Sequence, residues 1–114
     1  MQIKDEFELD TFIEDVFKRK IRFSFERKRH IESNHPEMFR EMNKINATLQ
    51  NPDIVVQSKI DDKVELFYKN FKNTPVGEKY LCVAVKTIYD NCFIITSYFT
   101  DAIKKGELIW QKKK

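Results

Sequence analysis

Helices up to about Gln50, followed by a four-stranded antiparallel meander on which they pack, make an α+β domain, and that is the fold class this sequence predicts. Two observations carry it. Apolar residues before Asn51-Pro52 recur at helical spacing, and those after it fall in short runs of β-branched and aromatic residues separated by turn formers. With 114 residues, 41% hydrophobic and ten of them Phe, the chain can build one core, so a single domain over 1–114 is expected.

In Asp10 to Lys20 the apolar residues Phe12, Ile13, Val16 and Phe17 lie at amphipathic spacing, with Asp10 or Thr11 free to cap and Lys18, Arg19 and Lys20 at the far end. The spacing predicts a first helix. Ile21, Phe23 and Phe25 alternate with Arg22 and Ser24, which predicts a short extended piece, and one or two helical turns around His30 follow. Pro36 disfavours helical geometry at His35 and breaks the chain there. Beyond it, Phe39, Met42, Ile45 and Leu49 form a one-sided stripe, so a second helix should start near Pro36, with Asn34 and Glu37 at capping separation, and end at Asn51-Pro52.

Strands are expected over Ile54 to Ser58, Val64 to Phe71, Tyr80 to Tyr89 and Cys92 to Thr100. Asp61-Asp62 and Asp90-Asn91 are the candidate tight turns, and Asn73 to Gly77 a longer loop. If Asp90-Asn91 closes the last hairpin, Cys82 faces Phe99. Val83, Val85, Thr87, Ile94, Thr96 and Tyr98 then share one face, and Cys82, Ala84, Lys86, Phe93, Ile95 and Ser97 the other. Cys82 and Cys92 fall at opposite ends of that pair, so both are expected as buried free thiols, as suits a reducing cytoplasm.

Charge is uneven along the chain. The formal net charge is only +3, yet Lys18 to Arg29 holds seven basic residues against Glu26, and Lys112, Lys113 and Lys114 close the sequence. Such a patch suits a polyanion, although a solvated surface has the same composition. Both histidines, His30 and His35, follow directly in Glu26-Arg27-Lys28-Arg29-His30-Ile31-Glu32-Ser33-Asn34-His35-Pro36-Glu37. Imidazole titrates near neutrality and guanidinium is shaped to hold phosphate, a pairing that phosphodiester cleavage needs. The two histidines are five apart, about 140° on one helix, so they converge only if the chain breaks between them.

Other chemistries find less support. There is no run of about 18 uncharged apolar residues to span a membrane, and Met1 to Asp15, with six acids against Lys4, does not read as a secretion signal. A cytoplasmic protein is expected. His-Glu-x-x-His, Cys-x-x-Cys and Walker patterns are missing, and two glycines cannot build a dinucleotide fingerprint. A metal site from His30, His35 and Glu32 or Glu37 lacks a recurring spacing, so neither metal nor cofactor is expected.

Five segments together carry a resemblance: His30-Ile31, His35-Pro36-Glu37, the strand Val64-Glu65-Leu66-Phe67-Tyr68-Lys69, the strand Ile94-Ile95-Thr96-Ser97-Tyr98, and the closing Gly106 to Trp110. From Ile21 to Trp110 the chain resembles the phage-associated branch of the Barnase-EndoU-colicin-RelE nuclease superfamily. The resemblance implies a BECR-like fold and metal-independent RNA cleavage, in which a ribose 2′-hydroxyl attacks the adjacent phosphate. It implies His30 as general acid or base, Thr96 or Tyr98 on the phosphate, and Lys69 with Arg27 or Arg29 as cations. Tyr68 and Tyr98 could stack on bases, and His35 is a further candidate for contact with the RNA. An RNA substrate, a toxin or phage-related role and an antitoxin or immunity partner follow as expectations.

Each residue also has a structural alternative. His30 could bond to the sheet, His35 could cap a helix or support a neighbour, Lys69 could be an exposed strand residue, and Thr96 and the tyrosines could belong to the core. A module that binds RNA or protein without turnover is the competing function, and an exposed sheet edge that binds a protein partner is a third.

Overall fold

The computed structural model describes residues 10–113; Met1 to Leu9 and Lys114 of the closing basic run lie outside the described residues. Strand β1 (Thr11–Glu14) and strand β2 (Lys20–Phe23) form an antiparallel hairpin where helical spacing predicted a first helix. Asp15 decides this. Its carboxylate, 2% exposed, accepts hydrogen bonds from the backbone N–H of Phe17 (3.0 Å) and Arg19 (2.8 Å) and from Arg19 Nε (2.9 Å). A buried carboxylate requires such partners, and they fold the chain back on itself, with Lys18 in the left-handed region at φ 68°. Ile13, Ile21 and Phe23 then point into the core. Arg19 continues to Glu65 Oε1 at 2.6 Å and pins the hairpin to the sheet.

Helix α1 (Phe25–Asn34) starts at Ser24, whose hydroxyl accepts from the Arg27 N–H at 3.1 Å. It stops at His35, and Pro36–Met38 make one 3₁₀ turn. The second helix is shorter than its stripe predicted. Arg40 takes φ 63°, and α2 runs only over Met42–Gln50, burying Ile45, Thr48 and Leu49. Asn34 bonds His30 instead of pairing with Glu37 as a cap.

The remaining strands are β3 (Ile54–Gln57), β4 (Val64–Phe71), β5 (Lys79–Ile88), β6 (Asn91–Thr100) and β7 (Leu108–Gln111). Among the described residues they join the hairpin in one mixed seven-stranded sheet ordered β1-β2-β6-β5-β4-β3-β7. Only β2 and β6 pair in parallel, at Ile21↔Cys92 and Arg22↔Phe93. This corrects the expected BECR-like arrangement of N-terminal helices on a four-stranded antiparallel sheet: the meander is present, but strands extend it on both sides. β2 and β7 cover the two edges, β6 and β3, that the meander would leave unpaired, and β1 extends the sheet beyond β2.

The last hairpin turns at Tyr89-Asp90, not Asp90-Asn91, and Ile88 pairs with Asn91. A bulge follows. Val85 faces Ile94, yet Ala84 faces Thr96, which leaves Ile95 as the extra residue on β6. Cys82 therefore faces Tyr98, and Val83 faces Ser97, reversing the faces expected for Thr96, Tyr98 and Ser97. Buried Ser97 satisfies its hydroxyl on the Cys82 carbonyl at 3.0 Å. One sheet face packs Val55, Phe67, Leu81, Val83, Val85 and Ile94 against Ile31, Met38, Ile45 and Leu49. The second face gathers Val56, Val64, Leu66, Tyr68, Cys82 and Ala84, with Ile103 of the β6–β7 connection folded over it. No helix among the described residues is long and apolar enough to cross a membrane.

Candidate functional site

The bulge sets Ile95 and Thr96 toward the second face together, with Tyr98 beside them, in a cleft of about 530 Å³. Ser58, Lys59, Ile60 and Asp61 of the β3–β4 turn form one wall, and Lys104 and Lys105 the other. Val64, Leu66, Ala84 and Ile95 line its apolar part. Three cations thus border a largely apolar hollow.

Lys104 is placed by a row of side chains, two of them buried and the third, Tyr98, half-buried. Tyr68, Cys82 and Tyr98 stand opposite one another across β4, β5 and β6. The Tyr68 hydroxyl accepts the Lys104 N–H at 3.1 Å, and the Lys104 ammonium lies 5.9 Å from the centre of the Tyr98 ring. Both phenols lie beside the Cys82 thiol. Burial, reinforced by that thiol, pushes Tyr68 up to about 12 and raises Tyr98 as well. Burial raises the thiol too. All three keep their protons at neutral pH.

The imidazole of the site comes from the joint after α1. α1 and the 3₁₀ turn lie against β6. His35, between them, stacks on Tyr98 with ring centres 5.8 Å apart and planes 29° apart. Glu37 Oε2 lies 3.6 Å from His35 Nδ1. The helix stops before Pro36, and the side chain at that stop, His35, meets β6.

His30 is elsewhere. It lies exposed on α1, Nε2 3.0 Å from Asn34 Nδ2, in a separate shallow recess with Phe25, Glu26, Arg29 and Ser33. Arg29 sits in that recess with its guanidinium over the Phe25 ring, and Arg27 belongs to the same helix. Lys69 is also displaced. Its ammonium donates to the Asn51 carbonyl at 2.9 Å, at the end of α2. Tyr68 is fully buried and cannot stack on a base. Of the expected site residues, the structure brings together Thr96, Tyr98 and His35. The basic run is partly spent as well, with Arg19 on Asp15 and Glu65 and Arg22 on Asp10.

Lys59, Lys104 and Lys105 were missed by the sequence reading. The one signal, for the latter two, was Lys104-Lys105-Gly106, three residues beyond the last expected strand. Gly106 has a structural reason: a Cβ there would collide with the Gln57 carbonyl oxygen. Among the described residues no group of three or more His, Cys, Asp or Glu side chains is placed to hold a metal ion. No family model matches the chain, and no curated protein or solved structure is significantly similar to it.

Proposed function

We propose that this chain is an endoribonuclease that cleaves by attack of a ribose 2′-hydroxyl on the adjacent phosphate, with His35 as the general base. The observation that carries the reading is the stacking of His35 on Tyr98 at the margin of a cleft rimmed by three lysines. His35 Nε2 takes the 2′ proton, with Glu37 Oε2 3.6 Å from the other ring nitrogen. The 2′-oxygen bonds to phosphorus, the bond to the 5′-oxygen breaks, and that oxygen takes a proton from water in the cleft. Lys104 and Lys105 offset the charge growing on the phosphate, with Thr96 as a hydroxyl donor. Tyr98 serves as the platform that holds His35 and Lys104, because its raised phenol lies beside Cys82. The reaction is the one the resemblance implied, assigned here to His35 in place of His30. In that role the protein would act on cytoplasmic RNA as a toxin or phage-related effector, restrained by an antitoxin or immunity protein.

Purified protein is expected to cleave single-stranded RNA in EDTA and leave cyclic phosphate ends. His35→Ala should slow cleavage by about 10²–10⁴-fold, the usual worth of a general base, while His30→Ala stays within about twofold of wild type. Salt-sensitive RNA binding without product would sink the catalytic reading and leave a binding module. Equal loss in both variants would remove His35 from its assigned role.

A further inference from the structure

The apolar end of the cleft holds an unexplained side chain. Ile60 is 91% exposed, although the floor of Val64, Leu66, Ala84 and Ile95 lies in the same cleft. Together with that floor, Ile60 makes the apolar lining of the cleft contiguous from the sheet to the rim. Its loop is also held firmly. Gln57 Nε2 donates to the Val64 carbonyl at 2.9 Å and the Asp61 carbonyl at 3.2 Å, and Ser58 Oγ accepts the Ile60 N–H at 3.3 Å. Asp61 accepts the Lys63 N–H and pairs with Lys86 at 2.9 Å, contacts that hold its carboxyl below its ordinary value. The loop is therefore a preset jaw.

We propose that this end of the cleft seats one unstacked nucleobase of the RNA, gripped between Ile60 and the sheet floor. The inference rests on the nuclease reading and names the part of the substrate that reading leaves unassigned. Charge complementarity points to the occupant: Lys59 adjoins Ile60 in the chain, Lys104 and Lys105 line the same cleft, and the one acid of the lining, Asp61, is paired with Lys86, so an apolar ring flanked by anions suits it. A nucleotide has that pattern, with a flat base between two phosphates. The cleft is continuous with the face of Thr96 and Tyr98, so the seated base and the cleaved phosphate belong to one bound strand.

An abasic scan along a short single-stranded oligoribonucleotide, made uncleavable by 2′-methoxy groups, tests this by fluorescence anisotropy. Removing the base at one position should weaken binding to wild type by about tenfold, within the range of single-base stacking contacts. Ile60→Ala should lose a similar factor for the intact strand and nothing further for the strand abasic at that position. Tyr89→Ala, equally exposed at the distant hairpin tip, should bind like wild type, and near-ultraviolet circular dichroism of both variants checks that the fold is kept. If Ile60→Ala binds the intact strand as wild type does, or loses the same factor for both strands, the base subsite is overturned while wild-type cleavage leaves the nuclease reading standing. If wild type binds no oligonucleotide and cleaves no RNA, both fall together.

Discussion

Tyr68 shows how one buried residue couples the site to the core. Its phenol anchors the Lys104 backbone, and burial beside Cys82 raises it from 10.0 to about 12. The folded protein thus keeps a proton that the unfolded chain gives up, so the stabilisation is complete below about pH 10 and is lost as pH rises toward 12. Cys82 and Tyr98, both raised, act in the same direction. In urea melts from pH 8 to 12, wild type should lose stability more steeply than Tyr68→Phe, which has no proton there to lose. Parallel curves would show that the phenol is not perturbed. His35 makes the complementary point. Its backbone closes α1 on the Ile31 carbonyl at 2.7 Å while its ring stacks on Tyr98, so one residue both ends the helix and meets the sheet.

At the scale of elements, the two walls of the cleft meet at Gln57 and Gly106. The Gln57 N–H donates to the Glu107 carbonyl at 2.8 Å, and the closeness of Gly106 to the Gln57 carbonyl allows no side chain. Gly106→Ala should cost about 1–3 kcal/mol by overpacking and weaken RNA binding, because it separates Lys104 from the β3–β4 turn. Unchanged stability in chemical denaturation would mean that the connection shifts freely. The β5–β6 turn carries the opposite defect. Tyr89, 93% exposed, is held at φ 55°, where a bulky side chain is strained. Tyr89→Gly should stabilise by about 1 kcal/mol, seen as a higher denaturant midpoint, and leave RNA cleavage as it was. The turn sits there because Ile88 and Asn91 pair, and the bulge at Ile95 then restores a register in which Ile94 and Ser97 both face the helices.

For the whole molecule, the sheet separates two tasks: one face is closed by the helices, and the other is left partly open with lysines at its rim. RNA affinity should therefore fall with salt, and each of Lys59→Ala, Lys104→Ala and Lys105→Ala should reduce the slope of log affinity against log salt by about 0.7. Lys69→Ala, bonded near α2, should leave it unchanged. Equal slopes for all four would place the RNA elsewhere. The meander of β3 to β6, the break at His35-Pro36 and two buried free thiols could be read from local pattern, because β-branched runs, proline geometry and apolar neighbours act within a few residues. Those features the sequence determined by itself. Three others only the tertiary structure decided. Phe12, Ile13, Val16 and Phe17 suit a helix as well as a hairpin until Asp15 finds its donors and Arg19 reaches Glu65. Thr96 and Tyr98 change face through one extra residue on β6, since side chains alternate strictly and a single-residue shift reverses them. That His35 and not His30 meets Tyr98 depends on how α1 packs against β6, a matter of segments far apart in the chain, which no local spacing encodes.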